Sequence, residues 1–190
     1  MANKVLFGIS NLYVATYTVT STTSGDVVAI GTPVKVPGAV SFSPSESSDS
    51  NDFYADNIIY WSGYSNIKIE GDLEVAMFDD NFKKTFLGYK TLTNGGVAAV
   101  KNPAKKNVFI AFEVDGDAEK RRVALYNCTL GNLTRSYSTI TDTKEPQTET
   151  LGITCIGDVN TGVTMATFKS GDSGYNSLFT SPAAPVISTT

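Results

Sequence analysis

Histidine is missing from all 190 positions of this chain, and that absence excludes more chemistry than any other feature of the composition. Without an imidazole there is no Ser-His-Asp or Cys-His catalysis, and the usual zinc sites lose their commonest ligand. Cysteine occurs twice, as Cys128 and Cys155. The two are not spaced as CxxC and have no second pair to complete a metal cluster. Each is embedded in a strand-like run, and they read as buried thiols rather than a disulfide. No apolar run approaches the roughly 18 residues of a membrane span, and the N-terminal Met-Ala-Asn-Lys-Val-Leu-Phe-Gly has no apolar signal core. The expectation is a protein kept in a cytosol-like compartment, off the membrane. There, Asn127-Cys128-Thr129 and Asn132-Leu133-Thr134 are chance matches to a glycosylation pattern.

Other motifs fail for want of partners. Gly171-Asp172-Ser173-Gly174 looks like the nucleophile segment of trypsin-like proteases, but no histidine can take the serine proton, and Tyr175 stands where that segment continues with glycine. Neither a Walker A loop nor GxGxxG occurs. Asp115-Gly116-Asp117-Ala118-Glu119 lacks the later ligands of a calcium loop and reads as a hairpin turn. Asp72 and Glu74 alternate along one strand face, which fits a charged surface better than a glycosidase pair. No catalytic residue, metal site or cofactor is expected.

The net charge of −4 and pI near 4.8 argue against a nucleic-acid grip, which needs clustered Lys and Arg. Charge is also unevenly placed. Glu46, Asp49, Asp52, Asp56, Glu70, Asp72, Glu74, Asp79 and Asp80 precede a section holding Lys83, Lys84, Lys90, Lys101, Lys105, Lys106, Lys120, Arg121 and Arg122. A chain with acidic and basic halves can attract copies of itself, although both can also be solvated faces.

With 41% hydrophobic and 11% aromatic residues the chain can bury one real core. Strand-like runs are Val5–Ile9, Leu12–Val19, Asp26–Ile30 and Val34–Phe42, the last with its prolines confined to ends or an edge. Residues Ser43–Asp52 hold nothing to bury, so a long mobile loop over 43–56 is expected, with aromatic residues Phe53–Trp61 after it. Tyr89–Thr93 and Val97–Val100 flank an Asn-Gly-Gly turn. Asn107–Val114 and Lys120–Leu130 form the strongest hairpin, and Thr148–Ile156 is the last long strand. Beyond Gly157, Val163–Phe168 is a possible final strand, and Ser170–Thr190 reads as an arm without a core pattern.

The most informative stretch is Asn66–Gly88. Leu73, Val75 and Met77 alternate with Asp72, Glu74 and Ala76, a half-buried strand with an acidic outer face. Asp79-Asp80-Asn81 then offers N-caps for a short helix, whose Phe82 and Phe86 share a side and whose natural stop is Gly88. Lys83 and Lys84 point elsewhere. So short a helix must be pinned to a sheet to survive in water. The fold class is therefore mainly β: an antiparallel β-sandwich or barrel with one flanking short α-helix.

Residues in family order now carry a resemblance. They are Gly31-Thr32-Pro33 and Val36-Pro37-Gly38-Ala39-Val40 before the Ser/Asp segment, Phe53-Tyr54-Ala55-Asp56 after it, Glu70–Phe78 with its helix, Leu125-Tyr126-Asn127-Cys128, and Glu145-Pro146-Gln147-Thr148-Glu149-Thr150-Leu151. Together they resemble the major tail tube proteins of long-tailed, non-contractile (siphovirus-type) bacteriophages of Gram-positive hosts. The resemblance spans about 2–156 and is weaker beyond. It implies a tail tube domain over 1–157, with 158–190 as a C-terminal extension. It also implies hexameric rings stacked into a hollow tube through which DNA passes without specific binding. Tape measure and tail-end proteins would be partners, and the virion the location. Under that resemblance Asp72 and Glu74 are lumen-lining candidates. Ser45, Glu46, Asp49, Asp52, Phe53 and Tyr54 belong to a loop between subunits or rings, and Lys83, Lys84, Arg121 and Arg122 are basic interface candidates. A rival reading is a surface binding module, carbohydrate-binding or adhesin-like, that uses Tyr54, Tyr60, Trp61 and Tyr64 to stack on sugars.

Overall fold

The computed structural model describes residues 8–139 and 146–188, so the start of the expected Val5–Ile9 strand and Glu145 lie outside the described residues. Fourteen strands and one α-helix follow in order. They are β1 (Gly8–Thr22), β2 (Gly25–Ile30), β3 (Val34–Lys35), β4 (Ala39–Phe42), β5 (Ser45–Ser47), β6 (Ser50–Ala55), β7 (Ile58–Tyr64), β8 (Lys68–Val75), α1 (Asp80–Thr85), β9 (Lys90–Thr91), β10 (Val97–Ala98), β11 (Val108–Asp115), β12 (Arg122–Arg135), β13 (Glu149–Cys155) and β14 (Met165–Phe168).

The main sheet runs β2-β1-β11-β12-β13-β8-β4, antiparallel throughout. Its two sides are joined by one continuous stretch. β3 pairs with β1, and the Val36 N–H donates to the Leu12 carbonyl (2.8 Å). A few residues on, the Ala76 N–H donates to the Gly38 carbonyl (2.8 Å), and β4 pairs with β8. The sheet thus closes on itself, leaving no open edge along that seam. Pro37 and Gly38 make the turn between the halves, Gly38 at a φ of +81° that favours glycine.

Alternation fills the closed interior. Leu12, Val14, Leu73, Val75, Val108, Ile110, Leu125, Leu151 and Ile153 project inward, with Phe78, Phe82 and Phe86 around α1 covering one side. Asp79 caps α1 by accepting the Phe82 N–H (2.5 Å), and the chain leaves through Gly88 at φ +71°. A side chain at Gly88 would sit 2.8 Å from the Ala104 backbone nitrogen. Strand β11 is buried on both faces: Val108, Ile110 and Phe112 face the interior, while Phe109 and Ala111 face a second core. This is why its sequence is a continuous apolar run rather than an alternating one.

Four expectations need correction. Met77 does not join Leu73 and Val75 in the core; β8 ends at Val75, the phase breaks, and Met77 is 69% exposed while Phe78 is buried in its place. Cys128 and Cys155 are disulfide-bonded rather than free, because the register sets them directly opposite each other on β12 and β13. The Ser/Asp segment is not a structureless loop, for β5 pairs with β8 and β6 pairs with β7. Backbone pairing needs no apolar side chain, so composition alone misreads it.

The fourth concerns Ser170–Thr190. Through residue 188 it is no free arm, since Tyr175 and Leu178 are buried and Leu178 joins Tyr17, Phe109 and Tyr126 in the second core. The Arg122 guanidinium lies between the Tyr175 and Phe179 rings, 3.9 and 4.1 Å from their centroids, and donates to the Tyr175 carbonyl. Just upstream, buried Asp158 accepts from the Tyr17 hydroxyl (2.7 Å) and from Thr161. Burial alone would raise its pKa, but these donors hold it below the usual carboxylate value. Burial, with Asp158 nearby, pushes Tyr126 up to about 12.

Candidate functional site: a polar trough and an aromatic hairpin

Two surfaces stand out, and they are chemically opposite. The first is the outer face of β4, β5, β8, β13 and β12. Every second residue of these strands must point away from the interior. The sequence places Ser41 and Ser45, then Glu70, Asp72 and Glu74, then Thr150, Gly152 and Thr154, then Thr129 in those outward positions. The result is a trough of about 680 Å³ walled by hydroxyls, carboxylates and glycine backbone. Glu74 is held from two sides, by the Ser41 hydroxyl (3.0 Å) and the Thr148 hydroxyl (2.6 Å). Glu70 pairs with Lys68 at 3.1 Å. Asp72 is exposed and has no ion-pair partner among the described residues. With so few apolar groups, the trough suits contact with water or a mobile polar solute rather than tight docking.

The second surface is the β6–β7 hairpin, a two-stranded sheet separate from the barrel. It turns at Asp56-Asn57, both with positive φ (53° and 64°), the conformation of a tight two-residue hairpin turn. Phe53 opposes Trp61 and Tyr54 opposes Ile59. Neither its own strands nor the barrel covers these residues: Phe53, Tyr54, Ile58, Tyr60, Trp61 and Tyr64 are all more than half exposed. Adjacent Phe53 and Tyr54 point to opposite faces, so both sides of the hairpin are apolar. The Trp61 ring lies over Gly63, where an added side chain would come within 2.4 Å of it. Together Asn51, Asp52, Phe53, Tyr60 and Trp61 line an open hollow of about 500 Å³.

The sequence-derived residues fall unevenly on these surfaces. Asp72 and Glu74 share the trough. Ser45 and Glu46 lie on β5, with the Ser45 hydroxyl bonded to the Glu70 carbonyl (3.2 Å). Asp49 leads into the hairpin and is exposed, as are Asp52, Phe53 and Tyr54 within it. The Asp52 carboxylate accepts the Ser62 hydroxyl (2.6 Å). The four basic candidates do not come together. Only Lys84 is exposed and without an ion-pair partner among the described residues. Arg121 pairs with Asp117 and Glu119, and Arg122 pairs with Glu113 beneath the C-terminal rings.

Lys83 is buried inside the chain, 3.1 Å from Glu149, which also accepts from Arg135 (2.9 Å) and the Phe78 N–H (2.7 Å). Burial would raise the Glu149 pKa, yet these three donors keep it below the ordinary value. Ile58 and Ile59 were not among the sequence-derived candidates. Asp56-Asn57 between two apolar runs is the signal that marks their hairpin.

No protein-family model matches the chain, and no curated protein matches it significantly. Among solved structures it is similar to the tube-terminating cap of the anti-feeding prophage, at 11% identity and a TM-score of 0.47, over 90% of this chain and 97% of that one. It is likewise similar to a chain of the sheath-tube complex of an extracellular contractile injection system (PVC) in its extended state. There the identity is 11% and the TM-score 0.43, over 84% of this chain and 88% of that one. Similarity at this level assigns no function.

Proposed function

We propose that this protein is a non-enzymatic structural subunit of a phage tail tube, in which copies form hexameric rings stacked into a hollow conduit of the virion. The observation that carries the proposal is the hairpin. A lone two-stranded hairpin is marginally stable in water, and this one exposes large apolar side chains on both faces. Such a surface has its natural complement in another protein chain. The ordered resemblance of residues 2–156 to siphovirus-type tail tube proteins supports a tail tube as that assembly, with tape measure and tail-end proteins as further partners.

The polar trough fits the same reading. Asp72 and Glu74 would face the lumen, where carboxylates repel phosphates and deny DNA the Lys and Arg contacts that hold it. Replacing both with lysine is expected to leave tubes intact and slow genome ejection. Unchanged ejection would remove the lumen assignment.

Negative-stain microscopy of the purified protein tests the main reading. Rings or tubes of uniform diameter are expected; a monomer at every concentration overturns it. The hollow beside Phe53, Tyr60 and Trp61 favours a second reading, a carbohydrate-binding module. In that case the protein stays monomeric and oligosaccharides shift the Trp61 fluorescence.

A further inference from the structure

The hairpin carries charge of one sign, and so does a second region of the same chain. From Val36 to Ile67 there are four acidic residues, Glu46, Asp49, Asp52 and Asp56, and no Lys or Arg. From Asn81 to Phe112 there are six lysines and no Asp or Glu. Among the described residues these charges do not neutralise each other: none of the four acids, and none of Lys84, Lys90, Lys101 and Lys106, takes part in an ion pair there.

The lysine-rich region also contains an apolar groove of about 250 Å³, formed by Leu87, Tyr89, Val100, Pro103 and Leu133, with Lys101 and Lys105 among its walls. Its shape is held in place. The Lys105 ammonium donates to the Leu130 and Gly131 carbonyls and to Asn132 Oδ1, filling the point where the β12 register slips between Leu130 and Leu133. Burial lowers the pKa of that ammonium. A groove of this size is smaller than typical small-molecule pockets, which begin near roughly 300 Å³, and suits inserted side chains.

We infer that the acidic aromatic hairpin of one copy docks on the lysine-flanked groove of the next copy. This deepens the reading above by naming the surface that receives the hairpin. Both halves of the match lie on every subunit: an apolar hairpin with unpaired acids, and an apolar groove with unpaired lysines. Such a contact is heterologous. Each copy gives its hairpin and receives another, which produces rings or filaments rather than closed dimers. Apolar burial supplies affinity, while the charges set orientation and encounter rate.

The test is a reciprocal charge reversal followed by sedimentation velocity. One variant carries Asp49→Lys with Asp52→Lys, the other Lys101→Glu with Lys106→Glu. All four positions are exposed, and thermal melts of each variant check that the fold survives. Each variant alone is expected to stay monomeric at a concentration where the wild type assembles, because positions 49 and 52 of the hairpin region and 101 and 106 beside the groove then carry like charge. An equimolar mixture is expected to assemble again, since those exchanged positions then meet with opposite signs. High salt should weaken wild-type assembly and the rescue alike.

A third variant, Ala99→Trp at a residue that lines the groove, blocks it without changing charge and should also abolish assembly. Assembly by either charge variant alone, or a mixture that remains monomeric while the wild type assembles, overturns this docking and leaves the tail tube reading standing. A wild type that never assembles removes both.

Discussion

Two antiparallel hairpins, β11–β12 and β6–β7, are rich in similar apolar residues and have opposite fates. In β11–β12, Phe109, Ile110, Leu125 and Tyr126 are buried to within a few per cent, covered on one side by the barrel interior and on the other by the C-terminal segment. In β6–β7, Phe53, Ile59 and Trp61 lie more than half exposed, with nothing among the described residues over either face. Apolarity therefore marks a demand for burial without saying who meets it. The first hairpin is satisfied within its own chain, and the second is left for another.

The sharpest break of that comparison is a pair of truncations. Phe109→Ala should cost about 3–5 kcal/mol in denaturant unfolding, because a buried ring leaves a cavity the two cores cannot fill. Trp61→Ala should change monomer stability by less than about 0.5 kcal/mol while weakening assembly in sedimentation experiments. Equal losses of stability from both would erase the distinction.

Next in size is the buried ion cluster that ties α1 to β13. Glu149→Gln leaves the Lys83 ammonium buried without its countercharge, and a loss of about 3 kcal/mol is expected. Leucine at both Lys83 and Glu149 should recover only part of it, since the Phe78 N–H and Arg135 then lose the carboxylate they bond.

Glu149 of this cluster, together with Asp158 beside Tyr17, gives the barrel an acid limb. Glu149 and Asp158 are both held below their ordinary pKa values, so their stabilisation is fully present above the unfolded-state values of roughly 4. It is lost as pH falls through their lower folded-state values. Barrel stability should therefore drop below about pH 4, and Glu149→Gln with Asp158→Asn should flatten that limb.

The smallest effect sharpens the hairpin side. Trp61 is the only tryptophan, so its emission reports the hairpin alone. Gly63→Val should displace the indole from its seat, alter that emission in the monomer, and leave the melting temperature within a degree or two. A melting shift of many degrees would mean the hairpin is part of the cooperative core.

Much of the barrel was legible along the chain. Period-two alternation marked β8, the strongest hairpin of the sequence became β11 and β12, and Asp79 with Gly88 bracketed α1 where the structure has it. The misreadings have one origin. Ser45–Ser47 and Ser50–Ala55 form strands because partners elsewhere offer their backbone groups, a benefit that composition does not display. Tyr175 and Leu178 look isolated among Gly and Ser, yet Arg122 and the outer face of β11 receive them. Lys83, on a short exposed-looking helix, turns inward because Glu149 waits beneath it.

What the sequence determined by itself is local: which residues alternate, where the chain must turn, and that an enzyme built on histidine is impossible. These follow from backbone geometry and side-chain chemistry within a few residues. Tertiary structure alone decided which alternating face became interior and which became the trough, which charges were neutralised, and which hairpin was left uncovered. Those outcomes depend on contacts between residues as far apart as Tyr17 and Asp158, and such proximity exists only after the sheet has closed.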